Sequence, residues 1–297
     1  MEPATPEMPP FEFAKRDYPL APATLYNIGG PARVALLPRT ASEVEQAYRW
    51  MIAQPGPKLV LGGGSNVLIA DGGFDGVVFF TTHLTGLEPL GGGRYRIGSG
   101  ISLGRVVRDI MLPGNYAGVG ALTGIPGSVG GAIYMNAGTV NGSTCEFLES
   151  VDLMGPGGLR SEAVTPELYS YRGQSFCGLY EVILGGTFRF TPSGEDQRAV
   201  YDHYMRRRRE KQPQGLCCGS VFKNPPNDHA GRLIEACGLK GLRRGGAVIS
   251  PMHANFIMNE DNATFADVLG LIQAARDAVL GRFGVTLETE VRIIGGE

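Results

Sequence analysis

The sequence predicts an α+β protein of two or three domains, and three observations carry that prediction. Helix-period and strand-period patterns alternate near the amino end, short strands between turn residues fill the middle, and an α/β alternation returns after Pro213. At 297 residues, 43% hydrophobic and 19% charged, the chain has apolar side chains for more than one core.

The elements follow in order. Residues 1–22 are proline-rich with few periodic apolar positions, and read as an arm on the surface. Thr24 to Ala32 is a turn, followed by a short strand at Arg33–Leu37. Thr40-Ala-Ser-Glu-Val-Glu is a helix start, with Thr40 or Ser42 as cap and glutamates in the first turn, and the helix should reach Ala53. After Pro55-Gly56-Pro57 come a strand from Lys58, a glycine loop and a strand at Gly76–Thr81. Arg94–Ile97 alternates as a strand, and a helix from Ser102 to Leu112 is broken by Pro113-Gly114. Strands follow at Ser150–Met154 and Val182–Phe190, then a helix over Asp196–Lys211 that stops before Pro213. The remainder reads as a helix at Gly231–Cys237, strands at Ala247–Ser250 and Asn255–Asn259, a helix from Thr264 to Phe283, and a final strand at Thr286–Ile294.

Composition excludes several functions. A net charge of −2 leaves no basic surplus for nucleic acid, and the basic run Arg206–Arg209 is isolated. Met1–Pro10 lacks the pattern of a signal peptide, and no run of about 18 apolar residues occurs, so a cytoplasmic protein without a membrane partner is expected. The five cysteines, Cys145, Cys177, Cys217, Cys218 and Cys237, form no CxxC pair, and histidines number four, so free thiols and no metal site are expected.

Two glycine-rich stretches carry the chemistry. Gly62-Gly63-Gly64-Ser65-Asn66-Val67-Leu68 follows the apolar run Leu59-Val60-Leu61 and continues to Asp71. Glycines directly after a strand leave backbone N–H groups uncovered, which suits a phosphate, although the stretch alone is also compatible with a plain hairpin loop. It is not the GxGxxG fingerprint, because the spacing fails and no long amphipathic helix follows. The second stretch, Gly118–Gly142, interleaves glycine with Leu122, Ile125, Val129, Ile133 and Met135. That reads as a packed segment with an open backbone, the second wall of a cofactor site.

Further motifs complete a pattern: Ile28-Gly29-Gly30-Pro31-Ala32, Gly124-Ile125-Pro126-Gly127-Ser128-Val129-Gly130-Gly131-Ala132, Met135-Asn136-Ala137-Gly138, Gly219-Ser220-Val221-Phe222-Lys223-Asn224-Pro225, His253-Ala254-Asn255-Phe256-Ile257 and Glu290-Val291-Arg292. In this order, from Thr24 to the carboxyl end, the chain resembles the UDP-N-acetylenolpyruvoylglucosamine reductases, flavoenzymes of bacterial cell-wall synthesis. The resemblance implies a noncovalent FAD, NADPH as hydride source, and reduction of an enolpyruvyl ether to the lactyl ether of UDP-N-acetylmuramate. It also implies a two-part FAD-binding domain of the vanillyl-alcohol oxidase type with a smaller α/β substrate domain, in the short form of the enzyme; a monomer is expected. On that basis residues 23–82 and 83–195 form the FAD-binding parts, 196–285 the substrate domain, and 286–297 a strand carrying a catalytic glutamate.

Residue roles follow from the resemblance alone. FAD would be held by Gly62, Gly63, Gly64, Ser65, Asn66, Val67 and Leu68, by Thr123, Gly124, Ile125, Pro126, Gly127, Ser128, Gly130, Gly131 and Ala132, and by Asn136, Ala137 and Gly138. Ser220 would deliver a proton, Arg172 would clamp the substrate carboxylate and stabilise an enolate, and Glu290 would assist. Glu288, two residues earlier on the same face of the expected strand, is the other candidate carboxylate. Tyr171, Lys211, Asn224, His253 and Asn255 would anchor the UDP-sugar. Two departures from the family pattern occur: Tyr171-Arg172-Gly173-Gln174-Ser175 is one residue longer than usual, and Cys217-Cys218 stand where a small residue is usual, which reads as packing. A flavin oxidase of the same fold would share the glycine loops, but many attach FAD through His or Cys, and none lies in Gly62–Asp71 or Thr123–Gly131. A nucleotide-binding protein without catalysis would need no Ser220, Arg172 and Glu290 together.

Overall fold

The computed structural model describes Pro6 and residues 8–296. The expected arm, residues 1–22, therefore lies partly outside the described residues, and the rest of it is not an arm. Ala14–Pro19 forms a strand, β1, at the edge of a sheet. Lys15, Arg16 and Asp17 are exposed along it, so no apolar alternation announces it in the sequence.

Then come β2 (Pro31–Leu36), α1 (Ala41–Ala53), β3 (Lys58–Leu61), β4 (Val67–Ile69), β5 (Phe74–Phe80), β6 (Leu87–Gly91) and β7 (Arg94–Gly98). The helix expected from Ser102 is a single turn, α2 (Leu103–Arg105), capped by the Ser102 side chain and continued by a π-helical stretch at Val106–Met111. Next are α3 (Val119–Leu122), α4 (Val129–Tyr134), the hairpin β8 (Gly138–Thr139) and β9 (Gly142–Ser143), β10 (Leu148–Gly155) and β11 (Gly158–Ala163). A second small hairpin, β12 (Tyr169–Ser170) and β13 (Gly173–Gln174), precedes β14 (Val182–Arg189). The order ends with α5 (Gln197–Lys211), α6 (Ala230–Ala236), β15 (Arg243–Arg244), β16 (Ala247–Ile249), β17 (Ile257–Asn259), α7 (Phe265–Phe283) and β18 (Arg292–Ile294). Thr40 caps α1, and Thr264 caps α7 in a capping box with Asp267.

The chain folds as two compact units. The first holds the described residues up to Asp17, Arg33–Gly63 and Asp75–Arg207; the second holds Tyr18–Ala32, Gly64–Phe74 and the described residues from Arg208 on. These units cut across the contiguous segments 23–82, 83–195 and 196–285: residues 18–32 and 64–74 join the second unit, and 196–207 stay with the first.

In the first unit a four-stranded sheet has the order β1-β2-β5-β3, with β3 parallel to β5. The buried stripe of α1, Val44, Ala47, Tyr48 and Met51, shares a core with Val34, Leu36, Val77 and Phe79. A five-stranded antiparallel sheet, β11-β10-β14-β7-β6, shares a second core with Val129 and Ile133 of α4. In the second unit β15-β16-β17 form an antiparallel sheet, β4 pairs with β18 in parallel, and Tyr26, Leu68, Phe222, Leu233, Ile249, Val268 and Val291 share one core. The final strand is shorter than its sequence suggests. Thr289 keeps an isolated bridge to Phe222, β18 begins at Arg292, and Glu290 therefore lies just before the strand rather than in it. Among the described residues no helix is long and apolar enough to cross a membrane.

Candidate active site

In the first unit the two glycine stretches meet backbone against backbone. Gly63 N donates to Ser128 Oγ at 3.2 Å. A Cβ on Gly62 would fall 2.4 Å from that oxygen, and one on Gly63 would fall 3.1 Å from both Gly127 Cα and Ser128 N. Gly63, Gly124 and Gly131 remain exposed, and a Cβ on Gly131 would meet nothing nearer than Ser128 Oγ at 3.7 Å. These walls are bare peptide, with no carboxylate in residues 62–68 or 123–132 to repel an anion. They fit the diphosphate of an FAD, which needs close approach to N–H dipoles.

The conformational demand lies at Gly64, not at Gly63. Gly64 has φ +59°, and a Cβ there would fall 1.9 Å from Ala23 O, within the second unit. Gly63 lies outside the left-handed region, so its φ alone does not exclude a β-branched residue there. Gly63→Val should act instead by pressing its side chain onto the Gly127–Ser128 backbone, 3.1 Å from where its Cβ would stand. The variant is expected to melt below the wild-type apoprotein, since that backbone must give way, and to purify with little flavin, as read from the ratio of absorbance at 450 and 280 nm; stoichiometric flavin in the folded variant would show that the phosphates bind elsewhere.

Arg172 belongs to the same unit. It occupies the two-residue turn between β12 and β13, where Tyr169 pairs with Gln174 and Ser170 with Gly173. Its φ of +58° is uncommon for a side chain of this size. Its Nη2 donates to Gly138 O at 3.2 Å, and its guanidinium lies 4.9 Å from the centre of the Tyr171 ring. Buried Asn136 ties the same hairpin down, donating from Nδ2 to Ser170 O at 2.9 Å and accepting from Cys145 N at 3.0 Å. The fold thus brings Arg172 to the end of the second glycine stretch. Ser175 is exposed, and its Oγ donates to Leu168 O at 3.2 Å.

In the second unit the Ser220 segment runs beside the Glu290 segment. Glu290 N donates to Val221 O at 2.8 Å, Val291 N reaches the same oxygen at 3.3 Å, and Lys223 N donates to Glu288 O at 2.9 Å. Glu288 and Glu290 then part in environment. Glu288 is exposed and its carboxylate binds Lys223 Nζ at 2.5 Å, whereas Glu290 is half-buried beside Val221.

Comparison with known proteins matches these parts. Residues 32–162 match the family described as FAD binding domain, and residues 212–294 match that described as UDP-N-acetylenolpyruvoylglucosamine reductase, C-terminal domain. A UDP-N-acetylenolpyruvoylglucosamine reductase of Geobacter sulfurreducens is 40% identical over 289 residues, covering 95% of this chain and 94% of its own. The chain belongs to the UDP-N-acetylenolpyruvoylglucosamine reductase family. A reductase 2 of Bacillus cereus is 39% identical over 95% of this chain and 92% of its own. The crystal structure of the reductase of Thermus caldophilus superposes with a TM-score of 0.79 at 31% identity, over 95% of this chain and 98% of that one. The fold is accordingly α+β, an FAD-binding domain of the vanillyl-alcohol oxidase type followed by the carboxyl-terminal domain of the reductase family.

Within this reductase fold the expected substrate anchors divide. Lys211 is exposed in the last turn of α5. Asn255, expected to touch substrate, is buried: Oδ1 accepts from Phe222 N at 2.9 Å and Nδ2 donates to Phe222 O at 2.8 Å. It fixes the Ser220 segment, and its amide is satisfied at both ends. Asn224 is exposed, and its Oδ1 accepts from Ala230 N at 3.1 Å at the start of α6. His253 Nδ1 accepts from Asn255 N at 3.2 Å, and its ring packs edge-on against Phe256 at 4.9 Å. Sequence reading missed what Asn66 does in the second unit, where its Nδ2 donates to Glu290 O at 2.9 Å. A polar residue just after a glycine turn was the available signal, but its partner lies 224 residues away.

The thiols and His253 have shifted protonation. Burial is the main cause that pushes the Cys218 thiol up to about 12, with smaller effects from Tyr26, Cys217 and Glu290. Burial likewise raises the half-buried Cys217, so both thiols beside Ser220 are protonated packing groups. Burial lowers the His253 pKa, partly opposed by its local backbone bond, while Lys240 lowers it further and Glu235 raises it. The folded state therefore favours neutral imidazole. The stability this contributes is present above the unfolded-chain value of about 6.5 and is lost as pH falls below it toward the depressed folded value. Thermal melts should show wild type losing more stability than His253→Gln between pH 7 and pH 5; parallel curves would remove His253 as the cause.

Proposed function

We propose that the chain reduces the enolpyruvyl ether of UDP-N-acetylglucosamine enolpyruvate to UDP-N-acetylmuramate, consuming NADPH and one proton in peptidoglycan precursor synthesis. FAD, when bound, supplies two-electron transfer between NADPH and the enolpyruvyl carbon beta to the carboxylate. The remaining work falls to the chain's own groups. Gly62, Gly63, Gly127 and Ser128 hold the diphosphate of the cofactor through backbone N–H groups and a hydroxyl. Arg172 pairs with the substrate carboxylate and stabilises the negative charge that develops on it, a task suited to a planar fork. Ser220 donates a proton from Oγ to the carbon alpha to that carboxylate, and Glu290 handles the proton that replaces it. Glu290 is preferred to Glu288 because Glu288 is held on the surface by Lys223 at 2.5 Å. Lys211, exposed at the end of α5, offers a cation to the nucleotide diphosphate. The enzyme works as a cytoplasmic monomer, with no nucleic-acid or membrane partner.

The observation that carries this reading is the 2.8 Å bond from Glu290 N to Val221 O, which sets a hydroxyl and a carboxylate on neighbouring segments of a reductase fold. Anaerobic mixing tests it. NADPH should bleach the flavin absorbance, and the enolpyruvyl nucleotide should restore it in a second, separable phase. A flavin that bleaches but is restored only by oxygen would point to an oxidase.

A further inference from the structure

We propose that Asn66 is a positioning residue for Glu290, coupling the first glycine loop to the carboxylate that handles the proton; this inference rests on the role given to Glu290 above. Asn66 immediately precedes β4, and Glu290 lies two residues before β18. The two strands run parallel, with Val67 opposite Arg292, Leu68 opposite Ile293 and Ile69 opposite Ile294. Ahead of that register Asn66 makes two bonds around the Glu290–Arg292 turn. Its Nδ2 donates to Glu290 O at 2.9 Å, and its own carbonyl accepts from Arg292 N at 3.0 Å. On the other side, Glu290 N donates to Val221 O at 2.8 Å.

Both peptide groups that flank the Glu290 Cα are thus fixed, one by the Ser220 segment and one by Asn66. Together they set the direction of the Cα–Cβ bond and hence the origin of the carboxylate. The side chain at position 66 must be a donor. Aspartate would place an acceptor against the carbonyl, and alanine would leave that carbonyl of a half-buried residue without this bond. The other end of the loop is pinned as well, since Leu25 N donates to Gly64 O at 3.0 Å and Gly64 leaves no room for a side chain. A phosphate seated on the glycine loop therefore bears on a segment that also holds Glu290. Cofactor seating and carboxylate placement share one short, hydrogen-bonded path.

The test uses Asn66→Ala, Asn66→Ser, Glu290→Gln and the double variant Asn66→Ala with Glu290→Gln. Flavin fluorescence during titration of the apoprotein gives FAD affinity, and stopped-flow absorbance separates reduction by NADPH from reoxidation by the enolpyruvyl nucleotide. In FAD-saturated enzyme, Asn66→Ala is expected to keep reduction within about threefold of wild type while reoxidation slows by ~10²-fold, the cost of a misplacement of about 1 Å. Asn66→Ser should recover part of the loss through its hydroxyl donor, and it carries the test alone if the alanine variant does not fold. In the Glu290→Gln background the alanine change should add nothing. Two results overturn the coupling alone: additive effects in the double variant, or a slow Glu290→Gln beside a fast Asn66→Ala. Collapse of FAD affinity with normal reoxidation of FAD-saturated enzyme would make Asn66 a phosphate ligand only and would also overturn it. A Glu290→Gln variant with wild-type reoxidation would remove Glu290 from the reaction, a failure of the functional reading that is distinct from the others.

Discussion

Ser220→Ala is expected to bind NADPH and undergo flavin reduction at near wild-type rate, then to stall when the enolpyruvyl nucleotide is added. On the role proposed for Ser220, hydride transfer from NADPH needs no acid at position 220, whereas protonation of the carbon alpha to the carboxylate does. General acid catalysis is typically worth about 10²–10⁴-fold, and reoxidation should slow by that order. The local fold gives the substitution little structural weight. Ser220 follows Gly219, a glycine at φ +80°, and its neighbours are held by backbone bonds to Asn255 and Glu290 that a side-chain truncation leaves in place. Unchanged melting beside a slow second phase is therefore the expected pair of results. Ser220→Cys, with a more acidic but larger group, should fall between alanine and wild type. Slow reduction by NADPH with fast reoxidation would instead make Ser220 a cofactor contact, and Glu290 would become the next candidate for the proton.

The regular elements were legible because their residues carry period and punctuation. Thr40 with Glu43, Thr264 with Asp267, and Pro55-Gly56-Pro57 mark helix ends that the structure reproduces within a residue or two. What escaped was long-range pairing. β1 is written in exposed Lys15, Arg16 and Asp17, and it exists because β2 offers an edge, which no local pattern encodes. The carboxyl-terminal strand was drawn too long because Thr286 to Val291 alternate like a strand, yet only Thr289 finds a bridging partner, in Phe222. Unit boundaries escaped for the same reason, since residues 64–74 join the second unit through the pairing of β4 with β18. At the site, the glycine walls were readable as chemistry. Asn255 was not, because an asparagine that binds substrate and one that clamps Phe222 look alike until both ends of its amide are seen to be satisfied.

Arg172 offers the sharpest separation of structure from function, because its backbone and its side chain pull in opposite directions. At φ +58° a non-glycine residue carries strain of about 1–3 kcal/mol, held by the hairpin pairs Tyr169 with Gln174 and Ser170 with Gly173. Arg172→Gly should relieve that strain and melt no lower than wild type. It should nevertheless lose turnover by ~10²–10³-fold, the loss seen when one donor to a developing oxyanion is removed, and raise the KM for the enolpyruvyl nucleotide. Arg172→Ala should show the same kinetic loss without the gain in stability. Arg172→Lys should recover only part of the activity, since an ammonium cannot make two parallel bonds to a carboxylate. Flavin reduction by NADPH should be unaffected in all three, because the carboxylate proposed to bind Arg172 belongs to the second substrate. Wild-type kinetics in Arg172→Lys would argue against a bidentate clamp. Loss of flavin reduction in Arg172→Gly would move Arg172 from the substrate to the cofactor, consistent with its 3.2 Å bond to Gly138 O at the end of the second glycine stretch.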